Sequence, residues 1–417
     1  MKKIKLKEVL EVKRGTTLSG EYYSDIGDKI RLTLGNFDYP GGGFKKNTSK
    51  SDIYFTGDVK SQFILRKGDI ITPLTEQVSG LLGETATIPE DNKYIQSGDI
   101  GLIIPNSEKL NSRFAYYLIS SSVIKKQLDV SSQQTKIRHT SPDKIMDCVA
   151  WIPELSVQMK IAKLLDSINI KIKNNNQINN NLEELMKILY QRWFMEFEFP
   201  NENGKPYKSN DGKLVYSEEL KRNIPKGWKI KKILDIATWE SNSQPPKSQF
   251  IYEKREGYVR FIQNRDYDSN SYITYIPYKK SLSTVSKLDI LIDKYGDAGK
   301  IRYGIEGVFN VALAKIKPIE NKFLEYIRSY LSSNEIYNYL HNSCMASTRA
   351  SLSEENLKSL NIVIPNEEIL NEFQDKVIIM RNLILSNKDE IDKLTALKEF
   401  LLPMLMNGQI NVDDIEI

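Results

Sequence analysis

The chain carries one pattern twice, 212 residues apart, and few folds tolerate that. Ala150-Trp151-Ile152-Pro153 lies over Ile362-Val363-Ile364-Pro365, and the same shift sets Ile124 on Ile336, Leu128 on Leu340, Ser141 on Ser353 and Ile145 on Leu357. Downstream it sets Val157 on Ile369, Ile161 on Phe373, Ile172 on Ile384, Leu182 on Leu394 and Leu189 on Leu401. Upstream the match continues with small gaps: Gly68-Asp69-Ile70-Ile71 falls on Leu288-Asp289-Ile290-Leu291, and Arg31-Leu32 on Arg260-Phe261. So long a period is no solenoid unit; it is a duplicated module of globular domain plus helix. A chain of 417 residues also exceeds what one core fills.

The helical half of each module is plain. Val157, Ile161, Leu165, Ile168, Ile172, Leu182, Met186 and Leu189 step by threes and fours, the spacing of a coiled-coil seam. The second copy gives Ile369, Phe373, Val377, Met380, Ile384, Ile391, Leu394 and Leu401. Pro153 and Pro365 end the strands before them. Each helix should run roughly 40 residues, about 60 Å. Asn175 and Asn387 interrupt both seams at the same place, near each midpoint. In an antiparallel pair these two side chains should meet and fix the register.

The globular halves mix strands (Ile100–Ile104, Tyr258–Ile262, Val311–Ile316) with helical stretches (Arg113–Leu128, Glu325–Leu340) and glycine turns. The boundaries read as a globular module over 1–153, a long helix over 154–199 and a polar linker over 200–226. A second module then covers 227–365, a second long helix 366–407 and a tail 408–417.

Catalytic signatures are missing. There is no GxxxxGK[ST], no GxGxxG after a strand, and no Asn-Pro-Pro-aromatic tetrapeptide for holding a flipped base. Asp91-Asn92-Lys93 offers half of a nuclease motif, a triplet that arises by chance among 59 basic and 54 acidic residues. Two cysteines and two histidines supply neither a disulfide framework nor a zinc cluster. With no signal peptide and no membrane-spanning run, a reducing cytoplasm is expected.

The charge points to an anionic partner. Residues 1–153 carry 22 Lys/Arg against 18 Asp/Glu, and 200–365 carry 26 against 19. The first helix balances at 6 against 6, while 366–417 hold 5 against 11. The basic excess therefore lies in the globular modules. Candidate nucleic-acid contacts are Arg14, Lys45, Lys46, Tyr54, Lys136 and Arg138 in the first module. In the second they are Gln244, Lys247, Arg265, Lys300, Arg302 and Arg349. Arg and Gln read base edges bidentately, and Lys anchors phosphates.

Leu189-Tyr190-Gln191-Arg192-Trp193-Phe194-Met195-Glu196-Phe197-Glu198-Phe199-Pro200, then Gly204-Lys205-Pro206-Tyr207 and Ile224-Pro225-Lys226-Gly227-Trp228, resemble the specificity subunits of type I restriction–modification systems. So do Ser243-Gln244-Pro245-Pro246, Arg260-Phe261-Ile262-Gln263-Asn264-Arg265-Asp266 and Gly299-Lys300-Ile301, and the resemblance spans essentially the whole chain. It implies an α+β fold of two pseudo-symmetric α/β target-recognition domains separated by two long antiparallel coiled-coil helices. It further implies a non-catalytic subunit reading a gapped, bipartite site on double-stranded DNA, with the helices as spacer. Methyltransferase subunits, two of them, would dock on this scaffold and methylate adenine N6. An ATP-dependent restriction subunit would join them, so S-adenosylmethionine, ATP and Mg belong to partners and this chain needs no cofactor or metal. Two alternatives stay open: a specificity subunit serving a fused type II methyltransferase–nuclease, and a coiled-coil adaptor that binds only protein.

Overall fold

The computed structural model describes residues 3–39, 42–45, 53–76, 80–131, 138–268, 272–345 and 351–415. Its helices are α1 (Ser112–Ser120), α2 (Ser122–Ser131), α3 (Pro142–Met146), α4 (Leu155–Tyr190), α5 (Leu324–Leu331), α6 (Asn334–Met345), α7 (Glu354–Lys358) and α8 (Glu367–Met406). The chain divides into two compact units, Met1–Lys173 with Ile391–Ile417, and Asn174–Glu390.

In the first unit the main sheet is antiparallel, ordered Leu10–Arg14, Ile100–Pro105, Ile70–Pro73, Ala86–Thr87. Ile100, Gly101 and Ile103 of its second strand are buried. A Cβ at Gly101 would lie 3.2 Å from the Leu74 and Val12 side chains, so the strand packs closely against both. A second sheet runs Tyr23–Ser24, Tyr54–Phe55, Ile30–Arg31, Tyr94–Ile95, the last pair parallel. Lys3–Lys5 pairs with Val149–Trp151 just before α4 begins. The apolar seam of α4 then does what its spacing requires: Ile161, Leu165 and Ile168 bury against Phe114, Leu118 and Ile124.

The second unit repeats this plan. Its main sheet runs Ala237–Glu240, Leu313–Pro318, Ile290–Asp293, Ile301–Arg302. Its other sheet contains the parallel pair Tyr258–Ile262 and Gly307–Phe309, and Lys229–Lys232 pairs with Asn361–Ile364 before α8. α1 and α5 start 212 residues apart, as do α4 and α8. Gly307 adopts φ +147, where a Cβ would meet the Arg260 carbonyl at 2.3 Å.

Local chemistry moves several boundaries. The helical stretches Arg113–Leu128 and Glu325–Leu340 each divide into two helices. Ser121 stops α1 with φ −73 and ψ 155 while its hydroxyl donates to the Leu118 carbonyl at 2.6 Å. Between α5 and α6 Ser332 keeps helical angles, and it is the Ser333 hydroxyl that donates to a helix carbonyl, that of Tyr330 at 2.8 Å.

The first long helix stops at Tyr190 and closes in a π-turn, Gln191–Met195, rather than running to 199. The reason is the aromatic block after it: Trp193, Phe194, Phe197 and Phe199 turn inward and bury. Residues 200–226 are not a bare linker either. Leu214–Ser217 and Arg222–Pro225 form an antiparallel hairpin, and the Phe199 ring stacks on Tyr207 at 4.5 Å and Trp228 at 4.9 Å. Residues 408–415 likewise pack, with Val412 buried among Leu401, Leu405 and Met406 and Asp413 paired to Lys160.

Candidate nucleic-acid interface

In the second unit the basic candidates sit where sheet strands give way to short 3₁₀ turns. Lys247 opens the turn Lys247–Gln249 and Arg265 lies in the turn Asn264–Tyr267. The latter turn is held by a capping box, Gln263 N–H donating to the Asp266 carboxylate at 3.1 Å. Burial raises the Asp266 carboxyl above its usual range. Arg265 projects from this rigid turn with 55% of its side chain exposed, its guanidinium 5.9 Å from the Tyr272 ring. Gln244 is exposed in the loop before Lys247, and the same loop is tied down by Asn242, whose amide donates to the Ser283 and Phe309 carbonyls at 2.8 and 3.1 Å.

Arg302 behaves differently. It donates twice to Asp293, at 3.1 and 2.9 Å, and only 12% of its side chain is exposed. Its guanidinium lies 5.2 Å from the Tyr267 ring, so it props the Arg265 turn from beneath. Burial raises Asp293 first, and the Arg302 hydrogen bond opposes that rise. Lys300 is half exposed and paired with Asp297 at 2.8 Å, and Asp297 also accepts from Tyr337 at 2.7 Å. Those bonds hold the Asp297 carboxyl below its usual range.

In the first unit Arg14 is exposed and its Nη2 reaches the Thr140 carbonyl at 3.4 Å. Lys45 is exposed, and its backbone amide donates to the Asn36 carbonyl at 3.1 Å. Tyr54 is half-buried in the second sheet. Arg138 pairs with Glu76 and, at 3.2 Å, with Asp129. Lys46, Lys136 and Arg349 lie outside the described residues.

The structure therefore joins Arg265, Arg302 and Tyr267 into one assembly, and it turns Arg138 and Arg302 toward internal carboxylates. Sequence reading missed the exposed tyrosines of this unit: Tyr252, Tyr272, Tyr278 and Tyr295 are 68, 69, 54 and 47% exposed. Large rings in water suit stacking on nucleotides, and Tyr272 lies beside Arg265. Their signal in the sequence is the density of Tyr between 252 and 295, in the module with the largest basic excess.

The register pair is corrected in detail. Asn175 and Asn387 are both buried but do not bond each other. Asn175 Nδ2 donates to Glu390 at 2.7 Å, and Asn387 Nδ2 donates to Asn179 at 2.9 Å. The helices pass antiparallel with about one turn of stagger, so each Asn meets a polar group one turn along the other helix. Heptad spacing shows which residues face the seam but not this axial offset.

Among the described residues no group of three or more His, Cys, Asp or Glu is placed to hold a metal ion, and no helix is long and apolar enough to cross a membrane.

Comparison with known proteins fits this doubled plan. Residues 1–184 and 225–397 match the family model for the type I restriction modification DNA specificity domain. The type I restriction enzyme MjaIX specificity subunit of Methanocaldococcus jannaschii is 24% identical over 75% of this chain and 72% of its own length. The HindI specificity subunit of Haemophilus influenzae is 22% identical over 83% of this chain and 87% of its own. In fold, the chain is similar to the crystal structure of a type I restriction–modification S subunit from M. genitalium, with TM-score 0.63, 14% identity, and coverage of 97% and 96%. With two modules matched across most of its length, the chain belongs to the type I restriction–modification DNA specificity family.

Proposed function

We propose that this chain is the non-catalytic DNA-reading subunit of a type I restriction–modification complex, each unit recognising one half of a gapped, bipartite site. The observation that carries this reading is the repetition of one fold plan in two units whose basic loops differ in sequence. Homologous readers with different loops read different half-sites, so the target need not be palindromic.

Within the second unit, the exposed Arg265, Gln244 and Lys247 reach base edges and phosphates, with Arg302 supporting from below and Lys300 at the rim. Arg14, Lys45 and Tyr54 take the corresponding role in the first unit, joined by Arg138, Lys46 and Lys136, and Arg349 joins the set of the second unit. The long helices act as spacer. α4 has 36 residues, about 54 Å at 1.5 Å per residue, and a gap near one helical turn, about 10 base pairs, is the expected centre-to-centre separation. Two methyltransferase subunits dock on the helices, whose outer faces carry exposed Ile170, Leu185, Ile188, Ile379, Leu383 and Phe400. These partners bring S-adenosylmethionine, and restriction subunits bring ATP and Mg.

The test is a genome-wide adenine-methylation map of the host with and without this gene. Loss of one gapped, two-part motif is expected. An unchanged map, in a host shown to express the neighbouring methyltransferase, would overturn the reading.

A further inference from the structure

A cavity of about 510 Å³ opens within the second unit among the end of α4, α5, the start of α6 and the strand Ile301–Arg302. One end is cationic. Arg328 forms part of the wall although it is only 2% exposed. Its Nε donates to both Glu325 oxygens at 3.1 Å and its Nη2 to the Leu288 carbonyl, while its Nη1 is buried with no hydrogen-bond partner. Arg381, also in the wall, donates to the same carboxylate at 3.3 and 3.0 Å. Two guanidiniums thus share one buried carboxylate, leaving a positive surplus where desolvation makes an uncompensated charge costly. The unpartnered Nη1, buried behind the wall, adds to the positive potential at this end of the cavity.

Two other features converge there. The N-terminus of α6, a helix of 12 residues, opens into the wall at Ser333 and Asn334, and free N–H groups at such an end favour anions. α4 finishes at the cavity as a π-turn whose Gln191 and Met195 line it, a distortion that concentrates at functional sites. Tyr190, Met186 and Tyr303 give another part of the wall an apolar, aromatic lining. Glu183, which accepts from the Tyr303 hydroxyl at 2.8 Å, and Glu335 add carboxylates suited to a ligand's hydroxyl or amino groups. They also repel an anion of higher charge.

We propose that this cavity binds a small organic monophosphate, its phosphoryl oxygens at the Arg328–Arg381 end and its hydroxyl-bearing body against Tyr190 and Tyr303. None of the wall residues is among the candidate DNA contacts.

The test is equilibrium dialysis of the full chain with labelled 5′-AMP, with inorganic phosphate and adenosine as competitors. One AMP per chain is expected, displaced by phosphate, with adenosine at least about tenfold weaker. Ser329 is a half-buried wall residue outside the ion cluster, so Ser329→Phe should fill the cavity and abolish retention. Lys187→Glu, on an exposed wall position, should weaken AMP by several-fold without threatening the fold. No retention of AMP, competition by adenosine equal to that by phosphate, or full retention in both variants would overturn the assignment.

Discussion

The same position of the repeat fastens the globular domain to its long helix in both units, with opposite charge. Arg113 of α1 binds Asp166 of α4, and Tyr117 donates to the same carboxylate at 2.6 Å while accepting from Asn169 at 2.8 Å. In the second unit the residue 212 further on is Glu325 of α5, and it accepts from Arg381 of α8. The first tie is open to water, with 40% of the Arg113 and 27% of the Asp166 side chains exposed. The second is sealed: the Glu325, Arg328 and Arg381 side chains are 0, 2 and 8% exposed. Duplication preserved the place of the joint and not its chemistry. The lesson is that docking geometry is set by apolar packing of the helices, while the polar tie is free to change sign as long as each carboxylate faces a cation.

Substitutions at the two ties should therefore differ in size. Glu325→Gln leaves two buried guanidiniums without a counter-charge, and a loss of about 3–5 kcal/mol is expected, read as a lower urea midpoint. Alkaline titration comes next. Burial pushes the Tyr303 hydroxyl up to about 12 from its ordinary 10.0, so the unfolded chain gives up this proton first. The folded state is then penalised as pH rises through that window, and stability should fall between about pH 10 and 12. Tyr303→Phe should flatten part of that fall in pH-dependent denaturation curves.

Asn387→Leu strands the Asn179 carbonyl in the seam of the second unit, a cost of about 1–2 kcal/mol by thermal or urea melts. Smallest is Arg113→Ala. Its tie is partly solvated, so about 1 kcal/mol or less is expected. That increment should shrink in 1 M salt, where screening acts within about 3 Å, whereas the Glu325→Gln loss should persist. Equal losses at both sites, or equal salt dependence, would break the comparison.

The doubled plan was legible because apolar spacing and proline positions survive at the 212 offset even where identities do not. The helices, the strands at Ile100 and Tyr258 and the pairing of the two seams all follow from that periodicity. What escaped were features fixed by three-dimensional neighbours. Arg302 and Arg265 look alike in sequence, yet one lies over a buried Asp293 and the other projects from a capped turn. Residues 200–226 read as polar and loose because their few apolar side chains, Tyr207, Leu214 and Ile224, find partners in the distant Phe199 and Trp228 cluster. The stagger that sends Asn175 to Glu390 depends on how deeply the seam residues interlock, which no single helix records.

The first unit borrows its last piece, Ile391–Ile417, from beyond the entire second unit. On the ribosome this means that the domain made first is finished last. The second unit is one uninterrupted stretch and has all its residues once Glu390 has emerged, whereas Leu401, Leu405, Met406 and Val412 must still arrive to cover the apolar face around Leu165 and Leu128. A nascent chain therefore carries a half-clad first domain through most of its synthesis. A premature stop after residue 390 would injure the first unit more than the second, translated just before it.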